Sequence, residues 1–168
     1  MGHYKEQGFF VEAGSLDGEY LSHSLDLEKS LGWKGLLVEA SPSLIRQFKG
    51  KERKSWIANV CLATSSDMVR VDFLTKAVQT EAWMRGNGRI DPAQPGQNAS
   101  IEKFEPWLHK SEGKIECFTL ATLLKAINVD KVDLLVLDIE GHEYKVLESH
   151  PFFFPRKFQS KSSLLKLG

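Results

Sequence analysis

Between Gly8 and Glu39 the chain spells out one strand–loop–helix–strand unit, and a chain that begins this way has few folds open to it. Phe9, Phe10 and Val11 make a short apolar run that stops at a turn, the pattern of a strand buried in a parallel sheet. Gly14 and Gly18 bracket the following loop, where the backbone can approach a ligand with no side chain between them. From Glu19 to Leu31, Leu21, Leu25 and Leu31 with Ser24 and Glu28 suit a helix with one buried face. Gly35 to Ala40 is a second strand. Its Glu39 lies about 20 residues beyond Gly18, the distance at which a Rossmann-like unit sets a carboxylate on a ribose hydroxyl. The unit predicts a site for a nucleoside-containing cofactor. The plainer alternative is a βα turn that merely contains two glycines.

The glycine spacing narrows the cofactor. A dinucleotide loop needs Gly-x-Gly-x-x-Gly, whereas this one reads Glu12-x-Gly14-x-x-x-Gly18. A nicotinamide enzyme is therefore a weak reading. An acid at position 12 repels a pyrophosphate but suits a cationic ligand. S-adenosylmethionine carries a sulfonium and an ammonium and has no phosphate, so it fits the loop better.

Size and charge set outer bounds. A chain of 168 residues makes one domain and buries roughly 70% of its unfolded surface if the fold is complete. Its 22 basic and 22 acidic residues cancel, which argues against nucleic acid as a partner. No signal peptide and no run of about 20 apolar residues is visible, so the expectation is no membrane span in this chain and a cytoplasmic location. Cys61 and Cys117 have no close-spaced metal pattern. Two reduced buried thiols are the default reading. A disulfide is the alternative and would imply a secretory compartment.

Further along, Ser41-Pro42 should open a helix, with serine as its cap and proline at its first position. Leu44, Ile45 and Phe48 supply its apolar side, and Gly50 can end it. The basic run Lys49–Lys54 reads as a solvated face. Trp56–Ala63 is a third strand, and Met68–Leu74 alternates like a half-exposed one. From about Lys76 to Ser111 glycines and prolines break the pattern, and the stretch is expected to be a lid with Trp83 and Trp107 as anchors. Ile115–Phe118 looks extended, Thr119 can cap a helix to about Asn128, and Val132–Asp138 is the best central strand. A helix through about Ser149 follows.

Glu12, Glu39 and Asp138 all end predicted strands, so they should converge on the rim where open α/β sheets bind ligands. Asp138, Glu140, His142 and Glu143 crowd that rim. A histidine or carboxylate there can take a proton from an acceptor hydroxyl or amine. Asp138, Glu140 and His142 are also possible metal ligands. The bland reading is that Asp138 and Glu140 cap the next helix.

Together these segments resemble the FkbM-type methyltransferase domain. The resemblance rests on Phe-Val-Glu-Ala-Gly-Ser-Leu-Asp-Gly (residues 10–18), Leu-Leu-Val-Glu-Ala-Ser-Pro (37–42) and Val-Asp-Leu-Leu-Val-Leu-Asp-Ile-Glu-Gly-His-Glu (132–143). It implies a Rossmann-like, mostly parallel sheet of order 3-2-1-4 and S-adenosylmethionine as cofactor. Glu12, Gly14, Ser15 and Gly18 would hold the methionine part, Glu39 the ribose, and Asn59 and Val60 the adenine side. Asp138, Glu140 and His142 would face an unknown hydroxyl acceptor as the catalytic set. The wording of several segments is similar to the arthropod Star-like branch. That implies an alternative function as a non-catalytic module in secretory-pathway trafficking of membrane-protein cargo, and it favours a Cys61–Cys117 disulfide. Residues 1–150 form the expected domain. Residues 151–168 carry four basic and no acidic residues and show no strand pattern, so the closing strands look missing and the Asp138 strand is expected to leave an open edge.

Overall fold

A computed structural model describes residues 7–65, 69–77, 88–90 and 108–149, and the backbone of 164–166. In chain order the elements are β1 (Phe9–Ala13), α1 (Leu25–Leu31), β2 (Lys34–Val38), and α2 (Pro42–Ile45) running into a 3-10 turn at Arg46–Phe48. Then come β3 (Trp56–Ala58), β4 (Cys61–Leu62), β5 (Val69–Lys76), β6 (Arg89–Ile90) and β7 (His109–Phe118). The last are α3 (Leu120–Ala126), β8 (Leu134–Leu137), α4 (Glu143–Glu148) and β9 (Leu164–Lys166).

Two sheets result. The first has the order β3-β2-β1-β8-β9, and its first four strands run parallel. That matches the expected 3-2-1-4 arrangement. Its residues alternate between two cores, as a sheet covered on both faces requires. Val11, Leu36, Leu135 and Leu137 pack with Leu120 and Leu124 of α3 and Val146 of α4. Phe10, Leu37, Leu134 and Val136 pack with Leu27 of α1, Trp33 and Phe48. The second sheet, β4-β7-β5-β6, is mostly antiparallel.

The structure departs from the sequence reading in five places. The helix expected from Glu19 begins only at Leu25, and Leu21, assigned to its buried face, is 65% exposed at a φ of 56°. The backbone and side chains of 22–24 are bound elsewhere, as described below. The strand expected over Trp56–Ala63 is two strands, because β3 pairs with β2 and β4 crosses to β7. Strand β7 starts at His109, inside the stretch where glycine and proline obscure the pattern. The edge beyond β8 is not open, since β9 pairs antiparallel with it over Val136↔Leu164, Leu135↔Leu165 and Leu134↔Lys166. Finally, Cys61 and Cys117 face each other across the parallel β4–β7 pair, 4.4 Å apart at Cα, and form a disulfide rather than two free thiols.

The caps fall where the sequence puts them. The Ser41 hydroxyl accepts from Leu44 N at 3.2 Å with Pro42 at the first helical position, and the Thr119 hydroxyl accepts from Thr122 N at 3.1 Å. Of the stretch expected to be a lid, residues 76–77, 88–90 and 108–111 are described and lie in or beside β5, β6 and β7, while Trp83 and Trp107 lie outside the described residues, as does most of 151–168. Among the described residues no helix is long and apolar enough to cross a membrane.

Candidate functional site

Strands β1, β2 and β8 are in register, with Ala13 opposite both Val38 and Leu137. Their carboxyl ends therefore align, and the residues just past them meet at one rim. Gly14 N donates to Val38 O at 3.0 Å, and Asp138 N donates to Ala13 O at 3.0 Å. A cleft opens there. Gly14, Glu39, Val60, Asp138, Glu140 and His142 line it from the first sheet's side, and Cys61, Phe73, Arg89 and Ile90 come from the second sheet. The cleft has a volume of about 130 Å³, on the scale that accepts one small ring. Glu12, Ser15, Gly18 and Asn59 do not line this cleft. Glu12 borders a smaller neighbouring recess together with Gly14, His23 and Asp138.

Glu39 is 5% exposed and bridges two segments. One carboxylate oxygen accepts from Leu16 N at 2.9 Å and the other from Ser41 N at 2.8 Å. Each oxygen keeps a lone pair for a ligand. Burial pushes its pKa up to about 7 against the pull of those backbone donors, and the nearby Glu112 carboxylate pushes the same way. The Asn59 side chain donates to the carbonyls of Glu39 and Ala40 at 2.8 and 3.2 Å, which holds the strand end in place beside Val60.

Glu12 is 2% exposed and fully engaged by its own chain. It accepts from Ser22 Oγ at 2.8 Å, from His23 N at 2.8 Å and from Ser24 Oγ. These bonds take the groups that an earlier helix start would have used. Behind them lies Arg53, whose side chain has no exposure. It donates to Gly18 O, to Ser22 Oγ at 3.1 Å, to Ser24 Oγ at 2.9 Å and to Glu28 at 3.2 Å, and it sits 5.9 Å from the Phe10 ring centre. The expectation of a solvated basic face over Lys49–Lys54 therefore fails at Arg53. Glu28 is 6% exposed and also accepts from Lys54 N at 2.6 Å. Ser15 is buried and donates from its hydroxyl to Val38 O at 3.1 Å.

The two loop glycines are required by contacts within the protein. A Cβ on Gly14, at φ 82°, would collide with the carbonyl oxygen of Asp138. One on Gly18, at φ 86°, would lie 2.6 Å from the Phe48 ring. The loop is thereby drawn against both β8 and the 3-10 turn.

After β8 the chain turns through Glu140 and Gly141, at φ 55° and 96°, and enters α4. The capping carboxylate is Glu143, which accepts from Ile139 N at 2.9 Å and Gly141 N at 3.3 Å. Asp138 and Glu140 are both exposed on the cleft. His142 is half-buried there. Burial holds its pKa below the usual imidazole range, Lys145 and Arg89 push the same way, and Glu143 opposes them. Its neutral form therefore prevails at pH 7. Asp138, Glu140 and His142 do not come together as metal ligands, for among the described residues no three His, Cys, Asp or Glu side chains are grouped to hold an ion.

Sequence reasoning missed Arg53 and Glu112. Glu112, on β7, accepts from Ser41 Oγ at 2.7 Å, Ser43 N at 3.1 Å, Ser43 Oγ at 2.6 Å and Thr75 Oγ1 at 3.3 Å. It thus ties the second sheet to the start of α2. Burial alone would raise its pKa, but the bonds from Ser41 and Ser43 outweigh burial and lower it. The local sequence around either residue carries no signal for these long-range partners.

A family model described as Methyltransferase FkbM domain matches residues 12–161. No curated protein and no solved structure matches the chain.

Proposed function

The chain belongs to the FkbM methyltransferase family, and on that premise we propose that it is an S-adenosylmethionine-dependent methyltransferase whose acceptor is a hydroxyl group. One observation carries this reading: Gly14, Glu39, Val60, Asp138, Glu140 and His142, drawn from four separate stretches of sequence, line a single cleft at the carboxyl ends of three parallel strands.

The residues present fit such a cofactor. Glu39 offers a lone pair on each oxygen while its donors Leu16 and Ser41 fix its orientation, as a ribose diol requires. Gly14 leaves bare backbone at the loop, and Val60 offers an apolar contact to a nucleoside. Glu12 acts through the loop, since its donors are Ser22, His23 and Ser24. The bound cofactor supplies an electrophilic methyl group on a sulfonium. His142, neutral at pH 7, would take up the proton of an acceptor hydroxyl. Asp138 and Glu140 orient the acceptor and place negative charge beside the site.

A second reading, a non-catalytic module handling membrane-protein cargo in the secretory pathway, is favoured by the Cys61–Cys117 disulfide, which suits an oxidising compartment. Thermal unfolding with S-adenosylhomocysteine separates the two. Ligand at 100 times its dissociation constant adds about 2.7 kcal/mol, a midpoint shift of about 5–11 °C for a chain this long. The shift should vanish in Glu39→Ala. A cooperative transition that ligand does not move refutes the cofactor reading and favours the cargo module.

A further inference from the structure

We propose that the Cys61–Cys117 disulfide is a redox latch on the cleft: closed, it holds the second sheet as one wall of the site, and reduction by a dithiol releases that wall and weakens nucleoside binding. The inference rests on the cofactor reading above and adds a control to it.

Cys61 lines the cleft itself. It sits on β4, whose Leu62 is buried in the first sheet's core. Cys117 sits on β7, which carries β5 and β6 and with them Phe73, Arg89 and Ile90 on the opposite wall. The bond therefore joins a strand anchored to the first sheet to the body of the second. Besides the chain's own passage from the end of β7 into α3, whose Leu120 is buried in the first sheet's core, the other described ties are few. The β4–β7 ladder spans two residue pairs, Ala63 N adds one bond to Phe118 O at 2.8 Å, and Glu112 reaches Ser41 and Ser43. Among the described residues the second sheet's own core holds Cys61, Ala63, Val71, Phe73, Ile115 and Cys117, so the two sulfurs are part of what it packs around.

The exchange is balanced. A thiolate of the dithiol attacks one cysteine sulfur, the S–S bond breaks and a mixed disulfide forms. The second thiol then closes on it, leaving two cysteine thiols and the reductant's cyclic disulfide, with two electrons supplied by the dithiol. Cys61 and Cys117 are 6% and 3% exposed, so attack needs the wall to move. A ligand in the cleft covers Cys61 and favours the closed wall. By linkage, ligand should disfavour reduction at equilibrium by the same factor by which reduction weakens ligand binding.

The test uses the whole chain and S-adenosylhomocysteine. Thiols counted after unfolding should number none before dithiothreitol and two after it. By calorimetry the dissociation constant should rise at least about fivefold on reduction, the lower end of typical coupling. Cys61→Ser with Cys117→Ser should bind like the reduced chain whether or not dithiothreitol is present. On the unmutated oxidised chain, saturating ligand should slow thiol release. Equal affinity in both redox states, or thiol release indifferent to ligand, overturns the latch while leaving the cofactor reading intact. Global loss of far-ultraviolet dichroism on reduction also overturns it, because the bond would then be a condition of folding. Binding in neither state overturns both readings.

Discussion

Replacing Glu39 by Gln should convert a pH-dependent stability into a flat one. The Glu39 carboxyl has a folded pKa of about 7 against an ordinary 4.5, chiefly from burial. A raised acid binds its proton more tightly in the folded chain, so stability is highest where Glu39 is protonated and falls as pH rises from 4.5 through 7. With those two values, ionisation removes about 1 kcal/mol at pH 5 and about 3 kcal/mol at pH 8, a difference of roughly 2–3 kcal/mol. In Glu39→Gln that dependence is absent. The variant instead carries a constant loss of about 1–3 kcal/mol, because one amide oxygen cannot serve both Leu16 N and Ser41 N. The variant should therefore be no more stable than the parent at pH 5, and should gain on it by about 5–10 °C in midpoint by pH 8. The comparison must be made as a difference. His142, lowered by burial, makes the parent lose stability as pH falls below 6.5, the opposite sign. Glu112, lowered by its hydroxyl donors, does so only below 4.5, outside the window. Melting curves of both proteins in matched buffers at pH 5, 6, 7 and 8 decide the matter. A constant offset across the four would mean that Glu39 titrates normally and that its burial is not felt.

Three further outcomes are expected. Gly14→Ala should lower stability by at least about 2 kcal/mol in urea titrations, since its Cβ meets the Asp138 carbonyl and its φ is 82°. Arg53→Met should cost about 3–5 kcal/mol by leaving Glu28 buried without its cation, and adding Glu28→Gln should recover part of that loss, the sum of the single effects exceeding the double. The His142 ring should titrate below pH 6.5 by NMR, and Lys145→Ala should move its midpoint upward, because Lys145 is one of the charges that hold it down.

What the sequence made legible is what short-range patterns encode. The apolar runs of β1, β2 and β8 are readable because both faces of those strands are buried, so nearly every residue is apolar. Ser41-Pro42 and Thr119 are readable because a cap is a local bond. The rim residues are readable because a strand's last residue has a known place in such a sheet. Arg53 was hidden because a run of lysine and arginine looks solvated whichever member turns inward. The late start of α1 was hidden because Glu12, ten residues away, takes Ser22. Strand β7 was hidden because its pairing with β5, not its own composition, makes it extended through Gly113 and Ser111. The paired edge at β9 has the same cause, since a backbone ladder needs no side-chain pattern.

Glu12 and Glu39 show why position in a fold is a weaker guide than the count of donors around a group. Both are acids near the ends of adjacent parallel strands, and both are almost fully buried. Glu12 receives three bonds from one short segment, 22–24, with Arg53 behind that segment. Its charge is spent on the shape of the loop. Glu39 receives two, from segments on either side of it, and faces the cleft with capacity left over. A buried carboxylate with unfilled acceptor sites is costly unless something else completes its shell. The raised pKa of Glu39 expresses that cost in the free chain. Any donor that completed those sites would lower that cost.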